Sequence, residues 1–139
     1  MAPASSIFYF EDVEQGGVVD TPAITLTAAH VALYAGLTHD APSGDDPGAV
    51  PDLLPLGLIT GLCWRIPQPP LAVLAFLGCE WEVDAPLRVG DTIHSRSRTA
   101  VKRSMREGGV IVEEREVINQ RGEVVHQGRF TFLVAKRPA

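Results

Sequence analysis

The run Leu53-Leu54-Pro55-Leu56-Gly57-Leu58-Ile59-Thr60-Gly61-Leu62-Cys63-Trp64-Arg65-Ile66 decides how this chain folds. As a helix it is apolar nearly all round, with Gly57, Thr60 and Gly61 as small or polar breaks and Arg65 near its end. A helix without a polar face is expected to be buried on every side. Gly57 and Gly61 lie four apart on one face, where their missing side chains permit close backbone approach. Pro67-Gln68-Pro69-Pro70 then stops the helix, because proline has no N–H to continue the ladder. Arg65 is accounted for by an acidic partner or by its place at the negative end of the helix dipole.

Downstream, Ala72–Val83, Thr92–Arg103, Gly109–Asn119 and Val124–Lys136 read as strands, with turns at Ser104–Gly109 and at Asn119-Gln120-Arg121-Gly122. Polar residues alternate heavily in Ile93–Val101 and partly in Glu123–Val134, so these strands have one wet face, as antiparallel sheets allow. Upstream, Thr21–Thr27 reads as a first strand. Thr27 is then an N-cap for a helix over Ala28–Leu37 that places Val31, Tyr34 and Ala35 on one face. Asp40 lies just past that helix. Residues 40–52 are turn-formers with no period, the composition of a surface loop or a site rim. Ile7–Val13 mixes aromatic and acidic residues and reads as an arm laid over the core. One apolar helix followed by four long strands is buried by a single sheet only if that sheet curls around it. That is the α+β hotdog architecture. Its exposed faces and edges lead us to expect a dimer.

At 139 residues the chain is expected to form one domain, 1–139. Thirteen Gly and eleven Pro favour strands and turns over a helix bundle. A net charge of −5 argues against a nucleic-acid partner. Basic residues gather from Arg88 to Arg106 and at Lys136-Arg137; solvated strand faces explain them more simply than coenzyme A phosphates. Cys63 and Cys79 form no disulfide framework and read as small buried hydrophobes. Trp64 and Tyr34 read as core or pocket walls. His30, His94 and His126 read as surface or sheet-packing residues. No metal-ligand spacing occurs, and no metal or cofactor is expected. The first residues lack a signal-peptide pattern, and no apolar run reaches the roughly 18 residues of a membrane span, so a cytoplasmic location with no membrane partner is expected.

The chain resembles the MaoC-like hydratase/dehydratase branch of the hotdog superfamily. The resemblance rests on Phe8-Tyr9-Phe10-Glu11-Asp12-Val13, on the helix ending Ala35-Gly36-Leu37-Thr38-His39-Asp40, and on Gly57-Leu58-Ile59-Thr60-Gly61-Leu62. Pro86-Leu87-Arg88-Val89-Gly90-Asp91-Thr92 and Asn119-Gln120-Arg121-Gly122-Glu123-Val124-Val125 follow in the expected order, so nearly the whole chain is covered. The resemblance implies syn addition of water to an enoyl thioester, or its reversal. An aspartate and a histidine five residues on share a water, and amides near a glycine at the buried helix's start polarise the thioester carbonyl. Asp40 matches the aspartate. Asp45 stands where the histidine is expected, and Leu56-Gly57 stands in place of His-Gly. The candidates are therefore Asp40, Asp45 and His39 for proton transfer, and Tyr34, Gly57, Leu58 and Trp64 for substrate, with the Gly57 and Leu58 amides as the oxyanion site.

Three functions follow from these residues. The first is a lyase acting on a thioester of coenzyme A or an acyl carrier protein. The second is a tailoring enzyme of polyketide-type biosynthesis, a cyclase or dehydratase, with Asp40 as acid/base. The third is a non-catalytic hotdog subunit that binds an acyl group or an active partner. A thioesterase is disfavoured, since hotdog thioesterases resembling this fold carry a carboxylate on the buried helix and Leu53–Ile66 has none.

Overall fold

The structure is a computed structural model, and it describes residues 7–41 and 44–139. Hydrophobic runs separated by short turns pair with their sequence neighbours wherever a hairpin permits. The long strands β4 (Thr92–Met105), β5 (Gly108–Ile118) and β6 (Val124–Val134) do so, each antiparallel to the next. β3 (Val73–Val83) joins on the far side of β6, and β1 (Val18–Asp20) on the far side of β4. The order is β1-β4-β5-β6-β3, with β2 (Ile24–Thr25) also on β4. Of the expected strand over Thr21–Thr27 only Ile24–Thr25 forms, and β1 lies wholly before that range. Pro22 sits in the gap and has no N–H to give a ladder.

Thr27 caps α1 (Ala28–Thr38) as expected: its hydroxyl accepts from the His30 N–H at 3.2 Å. His30 Nδ1 returns the favour by accepting from the Thr27 N–H at 3.1 Å. Two donors at the helix start, the Thr27 and His30 amides, are thereby satisfied reciprocally. Val31 and Tyr34 pack against the core from this helix, while Leu33 and Leu37 stay exposed.

The second helix, α2 (Leu54–Leu62), lies against the sheet. Its inward face buries Leu54, Pro55, Ile59 and Leu62. Leu54 and Ile59 share a cluster with Leu26, Val50, Leu87, Ile93, Val117 and Val125. The expectation of burial on every side is corrected here. Leu53, Gly57, Thr60, Gly61 and Trp64 are exposed, with Trp64 at 72%. One sheet covers one flank of a helix, so a single chain leaves the opposite stripe bare. The regular helix is also shorter than Leu53–Ile66, tightening into a 3-10 turn at Cys63–Arg65 ahead of Pro67.

That bare stripe is not alone. β3 ends the sheet order, so among the described residues its outer edge is unpaired, and Val73, Leu74, Phe76 and Leu77 on it are exposed. Cys79 is exposed on the same strand, correcting its reading as a buried hydrophobe, and Cys63 is half-buried.

The N-terminal arm lies over the core as expected. Phe8 bridges to Leu71, and Phe10 is buried with Ile111 and Val134. A Cβ on Gly109 would collide with the Phe10 ring, so that ring settles only on a strand position without a side chain. The chain's end fastens the arm: the Arg137 N–H donates to the Glu11 carboxylate at 2.7 Å, and its guanidinium pairs with Asp12.

Candidate active site

Helix α1 ends where His39 turns left-handed at φ 59, a conformation most side chains pay to adopt. The turn leaves Asp40 just beyond the last helical residue. Its backbone N–H donates to Thr38 Oγ1 at 3.1 Å, and Thr38 Oγ1 donates to the Tyr34 carbonyl at 2.8 Å. The Tyr34 hydroxyl donates to Asp40 Oδ2 at 3.2 Å. Tyr34, Thr38 and Asp40 are therefore one hydrogen-bonded unit, exposed at Asp40 and half-buried at Tyr34. Burial first, and then the neighbouring Asp40 carboxylate, push the Tyr34 phenol above its ordinary pKa.

The structure brings Tyr34 to Asp40 and does not bring the other proton-transfer candidates into the unit. Asp45 is exposed, and its side chain makes no hydrogen bond or ion pair among the described residues. The His39 side chain likewise makes none among the described residues, and its backbone N–H serves the helix end by donating to the Ala35 carbonyl at 2.9 Å. Trp64, in the 3-10 turn that follows α2, is exposed.

The start of α2 also differs in detail from the expectation. The Leu54 N–H donates to the Pro51 carbonyl at 3.1 Å, and the Gly57 N–H reaches the Leu53 carbonyl at 3.4 Å. Leu58 lies a full turn inside the helix, where an amide donates to the carbonyl four residues back. Pro55 has no N–H. The first-turn amide without a partner among the described residues is thus that of Leu56, one residue before the expected glycine. Leu56 and Tyr34 each pack, half-buried, against the core cluster of Leu26, Val50, Leu54, Ile59, Leu87, Ile93, Val117 and Val125.

What holds the intervening loop is a clamp that turn composition did not reveal. Asp46, though exposed, grips Arg88 through two hydrogen bonds, at 2.5 and 2.9 Å, and accepts from the Gly48 N–H at 3.0 Å. Ala49 bridges to Arg88, and the Val89 N–H donates to the Gly48 carbonyl at 2.9 Å. The segment Pro86–Thr92 therefore fixes the loop's second half against the core. The Arg88 hydrogen bonds, followed by the Gly48 amide, hold the Asp46 carboxyl down to about 2. A carboxyl lowered on folding stabilises the fold above its unfolded pKa of about 3.9, and that contribution disappears as pH falls through the folded value. Arg88→Met is accordingly expected to melt below the wild type at pH 5, with the difference shrinking toward pH 2. Thermal melts across that window check it, and a difference constant with pH contradicts it.

The sheet's inner face carries buried polar groups that spacing alone did not single out. His126, 1% exposed, sits at hydrogen-bond distance from the Ala85 carbonyl through Nε2, at 3.1 Å; burial lowers its pKa, with Asp52 and Asp84 opposing. This agrees with its reading as a sheet-packing residue. Arg115 is buried against the Phe130 ring, 4.1 Å from its centroid, and pairs with Glu113 at 2.8 Å. Burial raises the pKa of both cysteines, so neither thiol is activated as a nucleophile. Among the described residues no helix is long and apolar enough to cross a membrane.

No family model and no curated protein matches the chain. Solved structures do. A monoamine oxidase regulatory protein from Archaeoglobus fulgidus is 26% identical with a TM-score of 0.84, over 94% of this chain and 96% of that one. A MaoC-like dehydratase from Rhodospirillum rubrum is 22% identical with a TM-score of 0.81, over 95% and 99%. An (R)-hydratase from A. caviae involved in PHA biosynthesis is 19% identical with a TM-score of 0.71, over 92% and 99%. By strand order, helix placement and these likenesses, the chain has the hotdog fold, in the form found in MaoC-like structures.

Proposed function

We propose that this chain is a MaoC-type hydratase/dehydratase acting on an acyl thioester, with Asp40 as its acid/base. The observation that carries this reading is the Tyr34–Thr38–Asp40 unit, which holds one carboxylate at the end of α1. Similarity to structures described as a dehydratase and as (R)-hydratases supports the reaction class. Water gives a proton to Asp40 as its oxygen bonds the β-carbon of the enoyl thioester. Negative charge moves to the thioester oxygen, where a fixed amide such as that of Leu56 stabilises it. The test is hydration of crotonyl and longer enoyl thioesters, followed as loss of the conjugated double bond. Turnover supports the reading; no turnover at any chain length sinks it.

The same reading includes a homodimer. The bare stripe of α2 and the unpaired apolar edge of β3 occur together, and a second copy covers both. A mycobacterial chain described as having a double hotdog fold matches this one over 46% of its length, which supports two units side by side. Leu77→Asp on the β3 edge is expected to halve the mass measured by light scattering. A wild type of one-chain mass contradicts the dimer.

Asp45 in place of a histidine favours a second reading, a non-catalytic subunit of a heteromer. A HadBC dehydratase complex from Mycobacterium tuberculosis is among the similar structures, at 12% identity with a TM-score of 0.66. Co-purification with an intact homologue, and inactivity alone, distinguishes it. Conversion of a bulky polyketide-type substrate that is not a thioester distinguishes a cyclase that uses the same Asp40.

A further inference from the structure

Hydration moves two protons. One leaves the water and one arrives at Cα, and a lone carboxylate gives the second no separate donor. The residue five beyond Asp40 is Asp45, which has no proton to give when ionised. The group that does meet Asp40 is the Tyr34 hydroxyl, 3.2 Å from Oδ2. Its ring is seated on the core cluster, and Thr38 ties the Tyr34 carbonyl to the Asp40 N–H, so the separation is held from both sides. The two groups are chemically complementary: a phenol has a proton to give and a carboxylate can take one.

We propose that Tyr34 is the second proton-handling residue of the site, donating to Cα while Asp40 accepts from water. The inference rests on the hydration reading above. The steps balance. Water's O–H bond breaks, its proton goes to Asp40, and its oxygen bonds the β-carbon. The displaced π pair rests on the thioester oxygen, then returns to form the bond between Cα and the Tyr34 proton. The proton on Asp40 passes along the existing hydrogen bond to the phenolate, restoring both groups. One water is added and nothing else is consumed. Even with burial and the Asp40 carboxylate pushing the Tyr34 phenol above its ordinary pKa, a phenol is a far stronger acid than the α-carbon of a thioester, so the transfer to Cα is downhill. Dehydration runs the same steps backward.

The experiment compares wild type, Asp40→Asn and Tyr34→Phe on crotonyl-CoA, with a thermal melt of each. Tyr34→Phe removes one oxygen from a half-buried ring and is expected to melt with the wild type. Its kcat is expected to fall by about 10²-fold with KM little changed, the loss typical of a missing general acid. Tyr34→Phe at full kcat beside an inactive Asp40→Asn overturns this inference and leaves the hydration reading standing. Raised KM at unchanged kcat makes Tyr34 a pocket wall and overturns it equally. A wild type without turnover on any enoyl thioester removes the hydration reading, and this inference with it.

Discussion

Asp40→Asn is expected to leave a folded protein whose hydration of enoyl thioesters falls by about 10²- to 10⁴-fold, the share a positioned acid/base contributes. The substitution keeps the shape of the side chain and an oxygen that accepts from Tyr34, so the unit at the end of α1 persists. What it loses is the ability to take a proton from water. Asp40 is exposed and makes no ion pair among the described residues, so the melt is expected to move within the roughly 0.5 kcal/mol usual for surface changes. The pair of measurements separates chemistry from folding: steady-state rates must collapse while the unfolding curve stays. Undiminished turnover would remove Asp40 from the mechanism.

Gly128→Ala is expected to have the largest effect on stability. Gly128 on β6 lies between Arg115 on β5 and Trp81 on β3. An added Cβ would collide with the Glu80 carbonyl oxygen and come within 2.6 Å of a Trp81 ring carbon. The carbonyl belongs to the β3 backbone and cannot yield without opening the β3–β6 ladder. Nor is the indole free to move, since it meets Phe130 edge-on at 5.9 Å and His126 at 6.3 Å. Overpacking against backbone puts the cost near the top of the usual range, about 3 kcal/mol. Urea unfolding checks it; a loss below about 0.5 kcal/mol, the scale of a neutral surface change, contradicts the packing described.

Where one physical rule governed a segment alone, sequence was enough. The Thr27 cap and the turn at Asn119–Gly122 depend on neighbours within a few residues, and each stands where its pattern put it. The hotdog fold followed because a lone apolar helix and four strands leave few other ways to bury that helix. Failures came where distant residues or a second surface decide. Periodicity marks Leu53–Ile66 as apolar, but not that one sheet covers only half of it, leaving Gly57, Gly61 and Trp64 bare. Residues 40–52 read as turn formers. The clamp from Asp46 to Arg88 spans 42 positions and has no local signature. At the candidate site, Asp40 enters through the family resemblance and stands as a proposal, whereas the Tyr34 hydroxyl was read as a pocket wall because sequence does not show where a ring's far end points. The open amide moved from Gly57 and Leu58 to Leu56 because the helix starts at Leu54 and Pro55 has no N–H. Residues 42 and 43 of the loop lie outside the described residues.

The most direct test of the account is a structure with a bound, unreactive enoyl-thioester analogue. It is expected to show the thioester oxygen about 3 Å from the Leu56 amide and the β-carbon facing Asp40 across one water. A ligand seated elsewhere, with Asp40 facing only solvent, would contradict it.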